Sequence, residues 1–155
     1  MECSIQINNI EETERLADTI AQNIMPGSII LLSGDLGAGK TTFTQFLGSS
    51  LGVKRRMSSP TFNIIKTYQG KYTIHHMDCY RLEDSEEDLG FDEYFNDDDV
   101  SIVEWPQFIQ EFLPEQRLEI HIAVVEQVRR VFTLSSLGPG YTKIMEALAN
   151  DFPSN

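Results

Sequence analysis

Residues 34–41 read GDLGAGKT and match the pattern G-x-x-x-x-G-K-[ST]. No other stretch restricts the fold as tightly. Residues 28–33, SIILLS, form a continuous apolar run before it, as expected of a strand buried on both faces. Phe43, Phe46, Leu47 and Leu51 then recur at helical spacing until Gly52, which predicts a helix opening near Lys40. A strand, a glycine-rich turn and a helix in this order wrap phosphate with successive backbone N–H groups. The helix adds the positive end of its dipole. Asp35, Leu36, Gly37, Ala38, Gly39, Lys40, Thr41 and Thr42 are therefore the expected nucleotide-binding stretch. Lys40 is placed between the β- and γ-phosphates, and the Thr41 hydroxyl on Mg²⁺.

The rest of the chain reads as an α/β domain. Residues 3–8 alternate weakly, as in an edge strand, and residues 10–25 form a helix on Thr13, Leu16, Ala17, Ile20, Ala21 and Ile24. Residues 62–80 predict two strands around Gln69-Gly70-Lys71, and residues 99–105 a short buried strand closed by Pro106. Residues 117–125 and 129–136 resemble a hairpin. Residues 141–152 predict a final helix on Tyr141, Ile144, Met145 and Leu148. Strands alternate with helices first and follow one another later. The expected fold is thus a P-loop NTPase: a mixed, mostly parallel sheet flanked by helices, with an antiparallel extension. At 155 residues and 41% hydrophobic content, residues 1–155 are read as a single domain.

Phosphate-bond chemistry needs acids as well as a cradle, and in open α/β sheets they stand at the carboxyl ends of strands. Asp78 follows YTIHHM and Glu104 follows VSIV. A metal role is expected for at least one of the two, and these residues alone leave open which of them holds Mg²⁺ and which positions water. His75 and His76 are neighbours in a strand, so their side chains face opposite sides and cannot share one metal.

Charge narrows the partners. The formal net charge is −12, and residues 83–99 carry ten of the 24 acids and no Lys or Arg. A chain charged like this is not expected to bind DNA or RNA on its own, because phosphates repel it. Leu89, Phe91, Tyr94 and Phe95 are interleaved with the acids, which suits a docking edge or lid better than a disordered tail. Lys54-Arg55-Arg56 is a small basic counterpart, read as a solvated turn or as a contact to tRNA or an acidic partner surface. Cys3 and Cys79 lack metal or disulfide spacing and read as reduced thiols. With no apolar run of membrane length and no basic leader followed by an apolar block, a cytoplasmic location is expected.

Three classes remain open on these residues: an ATPase acting as a switch, a small-molecule kinase, and a nucleotide-gated binding protein with little hydrolysis. A kinase lid is rich in Arg, whereas the acidic block would repel a phosphoryl group. Lys40, Thr41, Asp78 and Glu104 together weigh against a dead site. No N-K-x-D stretch speaks for guanine.

GDLGAGKTTF, SPTF, HMDCYRL, LGFDEYF and VEWP occur in this order, and together they resemble the bacterial TsaE family. The resemblance spans about residues 13–130. It implies a small Mg²⁺-dependent ATPase needed to make threonylcarbamoyladenosine in tRNA. It implies binding to a TsaD–TsaB-type complex, with tRNA met only through those partners and the acidic block as a docking element. It further implies Mg²⁺ held by Thr41 and Glu104, catalytic roles for Lys40 and Asp78, a γ-phosphate-sensing loop at Ser59, Pro60 and Thr61, nucleotide contacts at Thr13 and Arg130, and a Trp105 that helps fix Glu104. Cys79 and Met77 depart from the family pattern and are expected to point into core.

Overall fold

The computed structural model describes residues 1–35, 37–58, 64–82 and 90–153. Its strands are β1 (Glu2–Ile7), β2 (Ile29–Ser33), β3 (Ile65–Gln69), β4 (Thr73–Asp78), β5 (Val100–Glu104), β6 (Arg117–Val124) and β7 (Arg130–Leu137). The helices are α1 (Ile10–Asn23), α2 (Lys40–Ser50), the single turn α3 (Phe91–Tyr94) and α4 (Thr142–Asp151). The seven described strands form one sheet in the order β1-β7-β6-β2-β5-β4-β3.

Pairing is parallel in the middle, between β6 and β2, β2 and β5, and β5 and β4. It is antiparallel at both margins, where β1 pairs with β7, β7 with β6, and β3 with β4. The burial patterns explain the split. Every residue of β5 is buried, as befits a central parallel strand covered on both faces. In β6, buried Leu118, Ile120 and Ile122 alternate with more exposed residues, as in a strand covered on one face.

The sheet sorts side chains by the two-residue period of its strands. Ile30, Leu32, Ile74, Val100, Ile102, Leu118 and Ile120 face the layer of α1, α2 and α4. Phe43 and Leu47 of α2, with Leu16 and Ile20 of α1, complete that core. Ile29, Leu31, Met77, Cys79 and Val103 face the other way, onto Phe91 of α3 and Ile109. Met77 and Cys79 therefore lie in core, both fully buried.

The P-loop NTPase architecture is thus a mixed sheet with helices, its parallel strands carrying the glycine turn. Details differ from the sequence reading. The first helix stops at Asn23, and Ile24 is already extended. Phe46 is only partly buried, because it lies at the rim of the α2 face. Residues 106–112 form a kinked 3-10 segment, for which the sequence offered no reading beyond Pro106 closing the strand. Of the acidic block, residues 91–94 are helical and residues 83–89 lie outside the described residues. Leu36, Ser59, Pro60 and Thr61 lie outside them too. Among the described residues no helix is long and apolar enough to cross a membrane.

Candidate nucleotide and metal site

The turn after β2 ends in an unusual helix start. Asn9 caps α1 by accepting from Glu12 N at 2.9 Å, and the Glu12 carboxylate accepts from Asn8 N, also at 2.9 Å. Glu11 and Glu12 then complement the dipole of α1. Helix α2 has none of this. Gly39 precedes it in the left-handed region with no side-chain cap, and its first turn carries no acid. The first N–H groups of a helix lack intrahelical partners, so this end is chemically suited to an anion.

Glycine is required at Gly34. A Cβ there would lie 2.6 Å from the Ile122 carbonyl oxygen, and its φ is +146°. Gly37 and Gly39 also have positive φ, at +81° and +108°. Ala38 N donates to Asp35 O at 3.0 Å, which tightens the turn.

Lys40 is buried, and its ammonium has two neighbours. Nζ donates to Gly34 O at 2.6 Å and sits 4.1 Å from the centre of the Trp105 ring. Burial pulls its pKa below the usual lysine range, against the opposing pull of Glu104, Asp78 and Asp35. Trp105 is the one non-glycine residue with positive φ among those described, at +58°. Such a conformation costs about 1–3 kcal/mol and persists where its surroundings impose it. Here Tyr80 packs on the ring at 5.0 Å and Phe108 stacks on it at 6.2 Å. Pro106, next in sequence, disfavours the right-handed helical region for Trp105.

Asp78 and Glu104 are register partners at the ends of β4 and β5. They lie on the face of Ile74, Ile102 and α2, since each is an even number of residues from those positions. Asp78 Oδ1 accepts from Tyr80 N at 3.1 Å. Burial raises the Asp78 pKa, and neighbouring Glu104 adds to the rise, against the Tyr80 N–H, His76 and Lys40. Glu104 is buried, and His76 Nε2 lies 2.6 Å from its Oε2. A carboxylate only accepts, so the ring nitrogen donates.

Two adjacent acids and a threonine at the start of α2 fit magnesium. The ion prefers oxygen ligands, is held by one or two carboxylates, and completes its shell with water and substrate phosphates. Its charge would also relieve the mutual repulsion that helps raise Asp78. Among the described residues no group of three or more His, Cys, Asp or Glu stands ready to hold a metal alone.

Beside Gly39 a cleft of about 200 Å³ opens between the start of α1 and the β6–β7 turn. Asn9, Ile10, Thr13, Ala38, Thr42, Val128 and Arg130 line it. Ile10 and Val128 are exposed apolar residues, at 57% and 68%. Thr13 and Arg130, distant in sequence, are thus brought to the phosphate loop. Arg130 Nε donates to Ala38 O at 3.0 Å, and Nη1 donates to the carbonyls of Glu126, Gln127 and Arg129. It braces the loop against the hairpin turn.

Other candidates fall elsewhere. His75 faces the opposite side from His76 and pairs with Asp99 and Thr67. His121 pairs with Ser33 Oγ at 2.9 Å. Burial pushes the Cys79 thiol up to about 12, which argues against a nucleophile. Lys54, Arg55 and Arg56 are exposed, with Arg55 over the Tyr68 ring at 4.9 Å. The link from His76 to Glu104 went unread in the sequence. Its signal was the even spacing His76–Asp78, which puts both side chains on one face.

The chain was compared with known proteins. The family model described as "Threonylcarbamoyl adenosine biosynthesis protein TsaE" matches residues 7–132. The tRNA threonylcarbamoyladenosine biosynthesis protein TsaE of Bacillus subtilis (strain 168) is 46% identical over 142 residues, covering 91% of this chain and 90% of that protein. Its namesake in Rickettsia felis is 39% identical, covering 83% of this chain and 77% of that protein. The crystal structure of YdiB from Bacillus subtilis superposes with a TM-score of 0.83 at 38% identity, covering 97% of this chain and 96% of that one.

Proposed function

This chain belongs to the TsaE family, and on that premise we propose that it is a Mg²⁺-dependent ATPase supporting threonylcarbamoyladenosine formation in tRNA. One observation carries the reading. The uncapped start of α2 and the paired acids Asp78 and Glu104 converge at the same end of the parallel strands.

The N–H groups of residues 37–42 hold the triphosphate. Lys40 leaves the Gly34 carbonyl and the Trp105 ring to reach the β- and γ-phosphates. Thr41 and Glu104 would hold magnesium, which when bound would neutralise charge developing on the phosphate oxygens. Asp78, fixed by its bond from Tyr80 N, orients the attacking water. The cleft beside Gly39 takes the nucleoside, with Ile10 and Val128 offering apolar contact to the base. Ser59, Pro60 and Thr61 sense the γ-phosphate.

Hydrolysis then serves as a switch on a TsaD–TsaB-type complex in the cytoplasm. The acidic block contributes to docking, and tRNA contact belongs to the partners, in keeping with the net charge of −12.

The test is ATP hydrolysis by the purified chain, alone and with the TsaD–TsaB complex. The rate is expected to rise with the complex and to collapse in Glu104→Ala. Wild-type turnover in Glu104→Ala overturns the metal assignment. An unchanged rate on adding the complex counts against the switch. In a reconstituted modification reaction, repeated turnover is expected only when this chain is present.

A further inference from the structure

We propose that His76 is the positioning residue for Glu104, fixing which carboxylate oxygen is offered to the metal. The inference rests on the reading of Glu104 as a magnesium ligand and gives a role to the first residue of the HMDCYRL stretch, which had none. His76 and Glu104 lie on neighbouring parallel strands and the same face. Their in-register partners are Ile102 and Asp78, so the two side chains meet on the diagonal. The ring sits one pleat behind the carboxylate, on the side of the sheet interior. Its Nε2–H engages Oε2 at 2.6 Å and leaves Oε1 for a ligand at the strand end. Carboxylates that bind metals are commonly oriented by such an outer hydrogen bond, whose loss weakens metal affinity or activity about 10–100-fold.

Packing alone does not account for the ring. His76 is 1% exposed, and its Nδ1 has no hydrogen-bond partner among the described residues. A buried nitrogen without a partner is unfavourable, and an aliphatic side chain would avoid it. Ile74, two residues earlier on the same face, fills its place in that way. The two acids are also held differently. Asp78 is fixed by the chain's own turn through Tyr80 N, whereas the described side-chain partner of Glu104 is His76.

The decisive experiment measures Mn²⁺ binding by electron paramagnetic resonance, in the presence of a non-hydrolysable ATP analogue. It uses full-length wild type, His76→Ala, His76→Gln, Glu104→Gln and the double variant His76→Ala/Glu104→Gln. His76→Ala is expected to weaken Mn²⁺ binding about 10-fold or more, with metal-free analogue affinity unchanged. His76→Gln retains a terminal N–H donor and should recover most of the loss. In the Glu104→Gln background, His76→Ala should add nothing, because it acts through Glu104. If His76→Ala does not fold, His76→Leu replaces it as the variant that fills space without donating. Wild-type Mn²⁺ affinity in His76→Ala, with Glu104→Gln impaired, overturns the proposal alone. So does an equal loss in both backgrounds. Unimpaired Mn²⁺ binding in Glu104→Gln overturns the metal role of Glu104, and the proposal with it.

Discussion

Two adjacent histidines, each bonded to a carboxylate, lie on opposite faces of one strand. His75 is satisfied at both nitrogens, by Asp99 at 2.7 Å and Thr67 at 2.9 Å, with Tyr94 packed edge-on to its ring at 4.9 Å. Asn96 also donates to Asp99, and the Asn96 and His75 bonds hold that carboxyl below its usual range. His76 is deeper, is bonded at one nitrogen among the described residues, and lies on the α2 face behind Glu104. The same chemistry does different work on each face. On the α3 side it ties the segment after α3 to the sheet. On the α2 side it sets an acid at the mouth of the site.

If the faces divide labour in this way, substitutions should sort by face. The largest effect expected is on the α3 side. Phe91 is fully buried there, and Phe91→Ala should destabilise the fold by about 3–5 kcal/mol in urea unfolding. Affinity for an ATP analogue in the folded protein should be unchanged. A parallel loss of affinity would break the division.

Lys40→Ala comes next, with the opposite signature. It should remove about 2–4 kcal/mol of transition-state stabilisation in an ATPase assay. Since burial already disfavours its charge, thermal melting should show no loss of stability.

On the α3 side again, His75→Ala removes two hydrogen bonds from a buried cluster. Urea titration should show a loss of about 1–3 kcal/mol, with Mn²⁺ binding unaltered. Impaired Mn²⁺ binding in this variant would mean that the two histidines are not separable.

The smallest effect concerns Cys79. Its folded thiol is held at about 12, against an ordinary 9.0. Above about pH 9 the unfolded chain releases this proton while the folded one keeps it, so stability falls as pH rises towards 12. Cys79→Ala should flatten that alkaline decline by about 1.4 kcal/mol per pH unit. Equal slopes in urea midpoints from pH 9 to 10.5 would refute the burial argument.

What could be read from the sequence follows from how local its causes are. The phosphate loop, β2, α2 and the hairpin were legible because glycine placement and apolar periodicity act over a few residues. Asp78 and Glu104 were legible as strand-end acids, but only their adjacent strands make them neighbours. The 3-10 segment at residues 106–112 was not legible. It depends on Trp105 turning left-handed against Tyr80 and Phe108, and no periodicity records that. Nor could spacing reveal that Arg130 braces Ala38, a contact 92 residues long in sequence.

The pairing of β1 with β7 also bears on the order of assembly. Ser4 and Thr133 meet across that seam although 129 residues separate them, and contacts so remote are slow to form. The cleft beside Gly39 straddles the same seam, with Asn9 and Thr13 on one bank and Val128 and Arg130 on the other. A nascent chain still on the ribosome has the phosphate turn long before it has the second bank. The cleft therefore has both banks only once the last strand has docked.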